Sequence, residues 1–88
     1  MIYIIDLREA DSRAEIHKRI REALPVPEYY GSNLDALHDV LTSCPDGTVI
    51  IFTNVDTVAA EIKGYVEALR WMCSETAEEY PGIEISLR

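Results

Sequence analysis

The stretch Thr48–Thr53, TVIIFT, decides the fold. Its β-branched and aromatic residues follow the turn formers Cys44-Pro45-Asp46-Gly47, so it reads as a buried β-strand. Upstream, Leu34, Leu37 and Leu41 recur at helical spacing, giving a helix to about Thr42. Gly31, Ser32 and Asn33 make the turn before it, and either Ser32 or Asn33 can cap it. Downstream, Asp56 can cap a helical region from about Thr57 to Glu79, interrupted near Gly64. Val58, Ile62, Val66, Leu69 and Cys73 form its core stripe.

The two ends complete the pattern. Met1–Leu7, MIYIIDL, is another buried strand. Ser12 and Glu15 fit a capping box that opens a helix near Arg13 to Leu24, with Ile16, Ile20, Ala23 and Leu24 on one face. Pro25 and Pro27 stop it and force an extended connection. Pro81 and Gly82 end the last helical region, and Ile83, Ile85 and Leu87 alternate as a third strand. Strands joined through helices become parallel neighbours by right-handed crossovers. The expected fold is α/β: one domain over residues 1–88, a three-stranded parallel sheet with three to four helices packed against it.

Charge narrows the function. The 88 residues hold eight Lys+Arg against sixteen Asp+Glu, a net charge of −8. Direct nucleic-acid binding and an anionic membrane are disfavoured, because both need a basic surface. A basic partner is the better electrostatic match. No window has the ~20 apolar residues of a membrane span. The start carries neither a basic n-region nor a small-residue cleavage site, so a cytoplasmic location is expected. Cys44 and Cys73 have no metal-ligand spacing and are expected as reduced thiols.

The acidity is concentrated. Between Arg21 and Lys63 there is no Lys or Arg, while Glu22, Glu28, Asp35, Asp39, Asp46, Asp56 and Glu61 are all acidic. A second such stretch, Trp71 to Leu87, holds Glu75, Glu78, Glu79 and Glu84. On the middle helix Asp35, His38, Asp39 and Thr42 fall on one face at i, i+3, i+4 and i+7. Two carboxylates one turn apart repel mildly. That face either awaits positive charge or is a solvated surface. Tyr29 and Tyr30 precede it: one is expected in the core and the other partly exposed, where tyrosine serves as an interface anchor.

Catalysis has little support. Asp35, His38 and Asp39 could suggest acid–base chemistry, but neighbours on one exposed helix lack a cleft to desolvate them. His17, among charges on the first helix, is expected at the surface. There is no glycine-rich phosphate loop or nucleophile motif. No enzyme, metal or cofactor is expected.

The segment Pro27–Thr42, PEYYGSNLDALHDVLT, resembles the signature of the barstar family of ribonuclease inhibitors. The paired tyrosines, the Gly, the run Asn-Leu-Asp-Ala-Leu and the second Asp carry the resemblance. It implies the same sheet-and-helix fold and an inhibitor that plugs the active site of a basic, extracellular-type ribonuclease, barnase-like or a toxin nuclease domain. It also implies a monomer that forms a 1:1 complex. By position, Tyr29 and Tyr30 fall at the enzyme's catalytic region, Asn33 is a further partner-binding residue, and Asp35 and Asp39 meet its Arg/Lys cluster. Asp39 takes the place of the RNA phosphate, and Thr42 supports the helix end. Glu75 falls at an acidic contact on the last helix, with Glu79 one turn later. Where the family's prototype carries aromatics, this chain has His38 and Cys44, which points to a different nuclease partner. The alternative is an acidic binding module of the same fold whose partner is not a nuclease.

Overall fold

The computed structural model describes residues 1–88. Three strands, β1 (Ile2–Asp6), β2 (Val49–Thr53) and β3 (Glu84–Leu87), are joined through three helices, α1 (Arg13–Ala23) and α2 (Leu34–Thr42) between the first two strands and α3 (Lys63–Glu79) between the last two. The sheet is parallel throughout, in the order β1-β2-β3. TVIIFT therefore supplies the central strand, with hydrogen-bonded neighbours on both sides.

Register shows how the core is built. Tyr3, Ile50 and Ile85 form one row across the sheet, and Ile5, Phe52 and Leu87 form the next one facing the same way. Ile5, Ile50 and Phe52 are fully buried under the helices, together with Ile16, Ile20, Leu37, Leu41 and Leu69. The intervening rows, Ile2–Val49–Glu84 and Ile4–Ile51–Ser86, point the other way, and Ile2 and Ile4 are exposed. The strands are thus buried on one face only, whereas their unbroken apolar sequences suggested full burial. The reason is topological. Two successive right-handed crossovers that both advance the sheet in one direction place every helix on the same side.

Local chemistry sets the helix ends. Ser12 caps α1, its Oγ accepting from the Glu15 N–H at 3.0 Å. The expected capping box is only half made, because the Glu15 carboxylate turns to Arg19 at 2.7 Å. Of the two residues that could cap α2, Asn33 does so, its Oδ1 accepting from the Ala36 N–H at 2.8 Å.

The break before α3 lies earlier than glycine placement suggested. Gly64 sits in the first turn of α3, and Asp56 lies inside a short 3-10 turn, Val55–Thr57, rather than capping a helix. A second 3-10 turn covers Ala60–Ile62. Between the two turns, Val58 and Ala59 are extended. There the Ala59 N–H donates to the Ala10 carbonyl at 2.9 Å, which ties the segment to the loop after β1. A tertiary hydrogen bond, not a flexible residue, interrupts the helix. No helix is long and apolar enough to cross a membrane.

Candidate functional site

The connection from α1 to α2 is gripped from beneath. Tyr30 is 5% exposed and Tyr29 is 89% exposed, so the paired tyrosines divide between core and surface as expected. Tyr30 meets His17, which the sequence placed at the surface. The structure corrects this: His17 is 1% exposed, with Nδ1 2.7 Å from the Tyr30 hydroxyl and Nε2 2.6 Å from the Tyr65 hydroxyl on α3.

A neutral imidazole has one donor and one acceptor, and a tyrosine hydroxyl can serve as either. One tyrosine therefore accepts from the ring N–H while the other donates to the bare nitrogen. Burial, and secondarily the charge of Arg21, lowers the His17 pKa and keeps the ring neutral. Burial likewise pushes the Tyr30 hydroxyl up to about 12. The missed signal was spacing: His17, Ile20 and Leu24 lie at i, i+3 and i+7, on the buried face of α1.

One turn after His17, Arg21 reaches the same connection. Its Nη2 donates to the Tyr30 carbonyl at 3.1 Å and to the Ser32 Oγ at 2.7 Å. Its guanidinium lies over the Tyr30 ring, 5.6 Å from the centroid. Ser32 holds a positive φ of 52°, a conformation costly for a residue with a side chain. Arg21 fixes it there, and Asn33 then starts α2.

Helix α2 buries Leu37 and Leu41 and presents its acidic side outward. Asp35 and Asp39 are exposed, with His38 and Thr42 half-buried alongside. The molecule's two ion pairs are Arg19–Glu15 and Arg70–Glu67, so neither aspartate has a cationic partner. The Asp39 carbonyl accepts from the Ser43 hydroxyl at 2.8 Å and the Thr42 hydroxyl at 3.2 Å, which closes the end of the helix. Both carboxylates thus stand on a helix fixed at its two ends.

Tyr29, Tyr30, Asp39 and Cys44 come together around one groove of about 780 Å³. It lies between the Pro25–Gly31 connection, the C-terminal half of α2 and the amino ends of β1 and β2. Asp35, His38 and Thr42 share the helix but do not line the groove, and Asn33 acts as the cap. Glu75 and Glu79 are exposed one turn apart on α3, outside it. Burial raises the Cys44 pKa, and the thiol donates to the Val40 carbonyl at 3.4 Å. Cys73 is buried in the core, its thiol pushed up to about 12 by burial.

The arrangement is a rigid, unneutralised acidic surface beside an exposed aromatic ring. Such a surface can accept a cationic protein patch. Comparison with known proteins bears on the family. The family described as Barstar (barnase inhibitor) matches residues 1–88. The candidate ribonuclease inhibitor YrdF of Bacillus subtilis (strain 168) is 31% identical over 77 residues, covering 86% of this chain and 85% of that protein. Signature, fold and whole-length match agree: the chain belongs to the barstar family of ribonuclease inhibitors.

Proposed function

We propose that this protein inhibits a basic guanyl-type ribonuclease, or the nuclease domain of a toxin, by occluding its active site in a 1:1 complex. Helix α2 is the plug. A ribonuclease binds the RNA phosphate with Arg and Lys, so a carboxylate on a fixed helix imitates that charge. The observation that carries this reading is the pair Asp35 and Asp39, one turn apart, exposed and without a cationic partner. Arg–carboxylate bonds made there are charge-assisted and can be bidentate. Tyr29 supplies aromatic contact beside them. In this reading the protein acts in the cytoplasm of the producing cell, as an immunity protein against a nuclease made for export.

The test is titration of barnase-like and toxin-type ribonucleases with the protein while RNA cleavage is followed. Inhibition is expected to be complete at one equivalent. Truncating one partner of a desolvated charge pair costs about 2–5 kcal/mol, so Asp39→Ala should weaken inhibition about thirty-fold or more. Glu84→Ala, on the uncovered face of the sheet, should leave it unchanged. Equal small losses in both variants would remove α2 as the docking face. No inhibition across the panel would overturn the reading.

A further inference from the structure

The two edges of the sheet are finished differently. On β1 the Val49 N–H donates to the Met1 carbonyl at 2.9 Å and the Leu7 N–H to the Thr53 carbonyl at 2.9 Å, so the even-numbered residues face outward. There Arg19 closes the edge, its Nη1 donating to the Asp6 carbonyl at 2.8 Å. On β3 the Glu84 N–H donates to the Thr48 carbonyl at 3.0 Å and the Arg88 N–H to the Phe52 carbonyl at 2.8 Å. Alternation turns the N–H and C=O of Ile85 and Leu87 to the free edge, where no loop, turn or cap bond reaches them. The strand has no proline, and its register with β2 runs without a bulge, so nothing blunts this edge. Its flank is open as well. Ile85 and Leu87 lie on the helix side yet are half-buried, whereas Ile50 and Phe52 beside them are sealed. A groove of about 440 Å³ runs between β3 and α3, with Arg70, Ser74 and Glu78 at i, i+4 and i+8 along it.

We infer that this edge binds a second copy of the chain, β3 pairing antiparallel with β3 about a two-fold axis at Ser86. The axis pairs residues equidistant from Ser86, so each Ile85 stands opposite the second copy's Leu87. Residues opposite one another in this way exchange both main-chain bonds, and every free N–H and C=O of Ile85 and Leu87 is satisfied. The same axis joins opposite charges in both layers. On the open face of the sheet, Glu84 and Arg88 lie two residues either side of Ser86, so each meets its opposite across the strands. In the helix layer Ser74 borders the same groove as Ile85 and Leu87, which puts the axis beside it. Arg70 and Glu78 lie four residues either side of Ser74, so each Arg70 meets the second copy's Glu78. Within one chain Glu78, Glu84 and Arg88 have no ionic partner, and Arg70 reaches Glu67 at 3.7 Å. An isologous dimer requires such symmetry about one point, and an unrelated partner does not.

The acidic side of α2 stays free in this dimer. The groove beside Asp39 takes no residue from β3, and Glu75 and Glu79 lie roughly a third of a turn around α3 from the Arg70–Ser74–Glu78 row. One short strand and one helix row make a small interface, of the weak and reversible class, and the charge of −8 on each chain opposes it. Dilute protein is therefore monomeric.

Sedimentation velocity in reducing buffer tests the pairing, from about 10 μM to about 1 mM. The mass should rise with concentration from the 10.0 kDa of one chain toward twice that value. Arg70→Glu and Glu78→Arg should each weaken self-association about tenfold or more. An equimolar mixture of the two variants should associate about as well as the native chain, because unlike charges face each other again; this rescue excludes misfolding as the cause. Amide exchange reads the edge itself. Where the dimer predominates, the N–H groups of Ile85 and Leu87 should exchange about tenfold or more slowly than in dilute protein, while that of Ile4 on the β1 edge is unchanged. A chain that keeps one mass throughout overturns the inference, as does association that leaves the Ile85 and Leu87 amides at their dilute rate. Association abolished by Ile4→Lys but untouched by Arg70→Glu places the contact on the uncovered sheet face and overturns it too.

Discussion

Replacing His17 by alanine tests the support beneath the connection from α1 to α2. The ring is 1% exposed and bonded at both nitrogens, so its removal has two costs. Truncating a buried ring-sized side chain leaves a cavity and lost contacts, and core truncations to alanine cost about 2–5 kcal/mol. The Tyr30 hydroxyl, 5% exposed on its residue, is then buried without a partner, which costs about 1–3 kcal/mol. Tyr65 is only half-buried and can turn its hydroxyl to water. The expected loss is about 3–8 kcal/mol, a large share of the ~5–15 kcal/mol that holds a domain together.

The assay is urea denaturation at pH 7.5 with circular dichroism, beside Tyr65→Phe as the milder change, expected to cost about 1 kcal/mol. The pH dependence separates the ring's role from mere volume. In the unfolded chain the imidazole takes up its proton near pH 6.5. In the folded chain its pKa is lowered, chiefly by burial, so it stays neutral further down. Between the two values the unfolded state holds the extra proton. Stability contributed by this group therefore falls as pH drops below about 6.5, by at most about 1.4 kcal/mol per pH unit, and levels off below the folded pKa. His17→Ala lacks this slope. A loss under about 1 kcal/mol, or an acid slope equal to that of the native protein, would refute the assignment.

Other predictions follow from single interactions. Asn33→Ala removes the α2 cap and should cost about 1 kcal/mol in the same denaturation assay. Gly47 holds φ at +92°, so Gly47→Ala should destabilise by about 1 kcal/mol or more through backbone strain, although no atom crowds the new methyl group. Asp35→Asn relieves repulsion from Asp39 but also removes the favourable charge in the first turn of α2, so it should leave the free protein's stability within about 0.5 kcal/mol while weakening ribonuclease inhibition. Stopped-flow association should slow as salt is raised, since steering is screened beyond ~8–10 Å; a salt-independent on-rate would contradict the acidic-face argument.

What the sequence made legible was what neighbouring residues decide. TVIIFT announced a strand through composition alone, and Leu34, Leu37 and Leu41 announced the inward face of α2. The division between Tyr29 and Tyr30 was also readable. His17 was misread because its charged neighbours outweighed its spacing with Ile20 and Leu24. Its true surroundings come from Tyr30 and Tyr65, thirteen and 48 residues away in the chain. The start of α3 was misplaced because a hydrogen bond to Ala10, from the other end of a long connection, sets it. Asp35, Asp39 and Tyr29 were readable from one continuous motif. The groove was not, because its walls come from three separated segments that only the folded sheet assembles.

The Tyr30–His17–Tyr65 bonds also set when, during synthesis, the protein becomes able to bind. A ribosome that has read through Thr42 has already made Tyr29, Asp35 and Asp39. The nascent chain at that point lacks Tyr65, so the second anchor of His17 does not yet exist. The central strand also waits for β3, which follows all the helices in the chain, before its second edge is paired. Such distant pairings form late and slowly compared with local helices. Binding competence therefore switches on once β3 has been made rather than growing with the acidic residues. Under the proposed function, a cell that makes its target nuclease at the same time would meet a lag between making the acidic motif and being shielded by it.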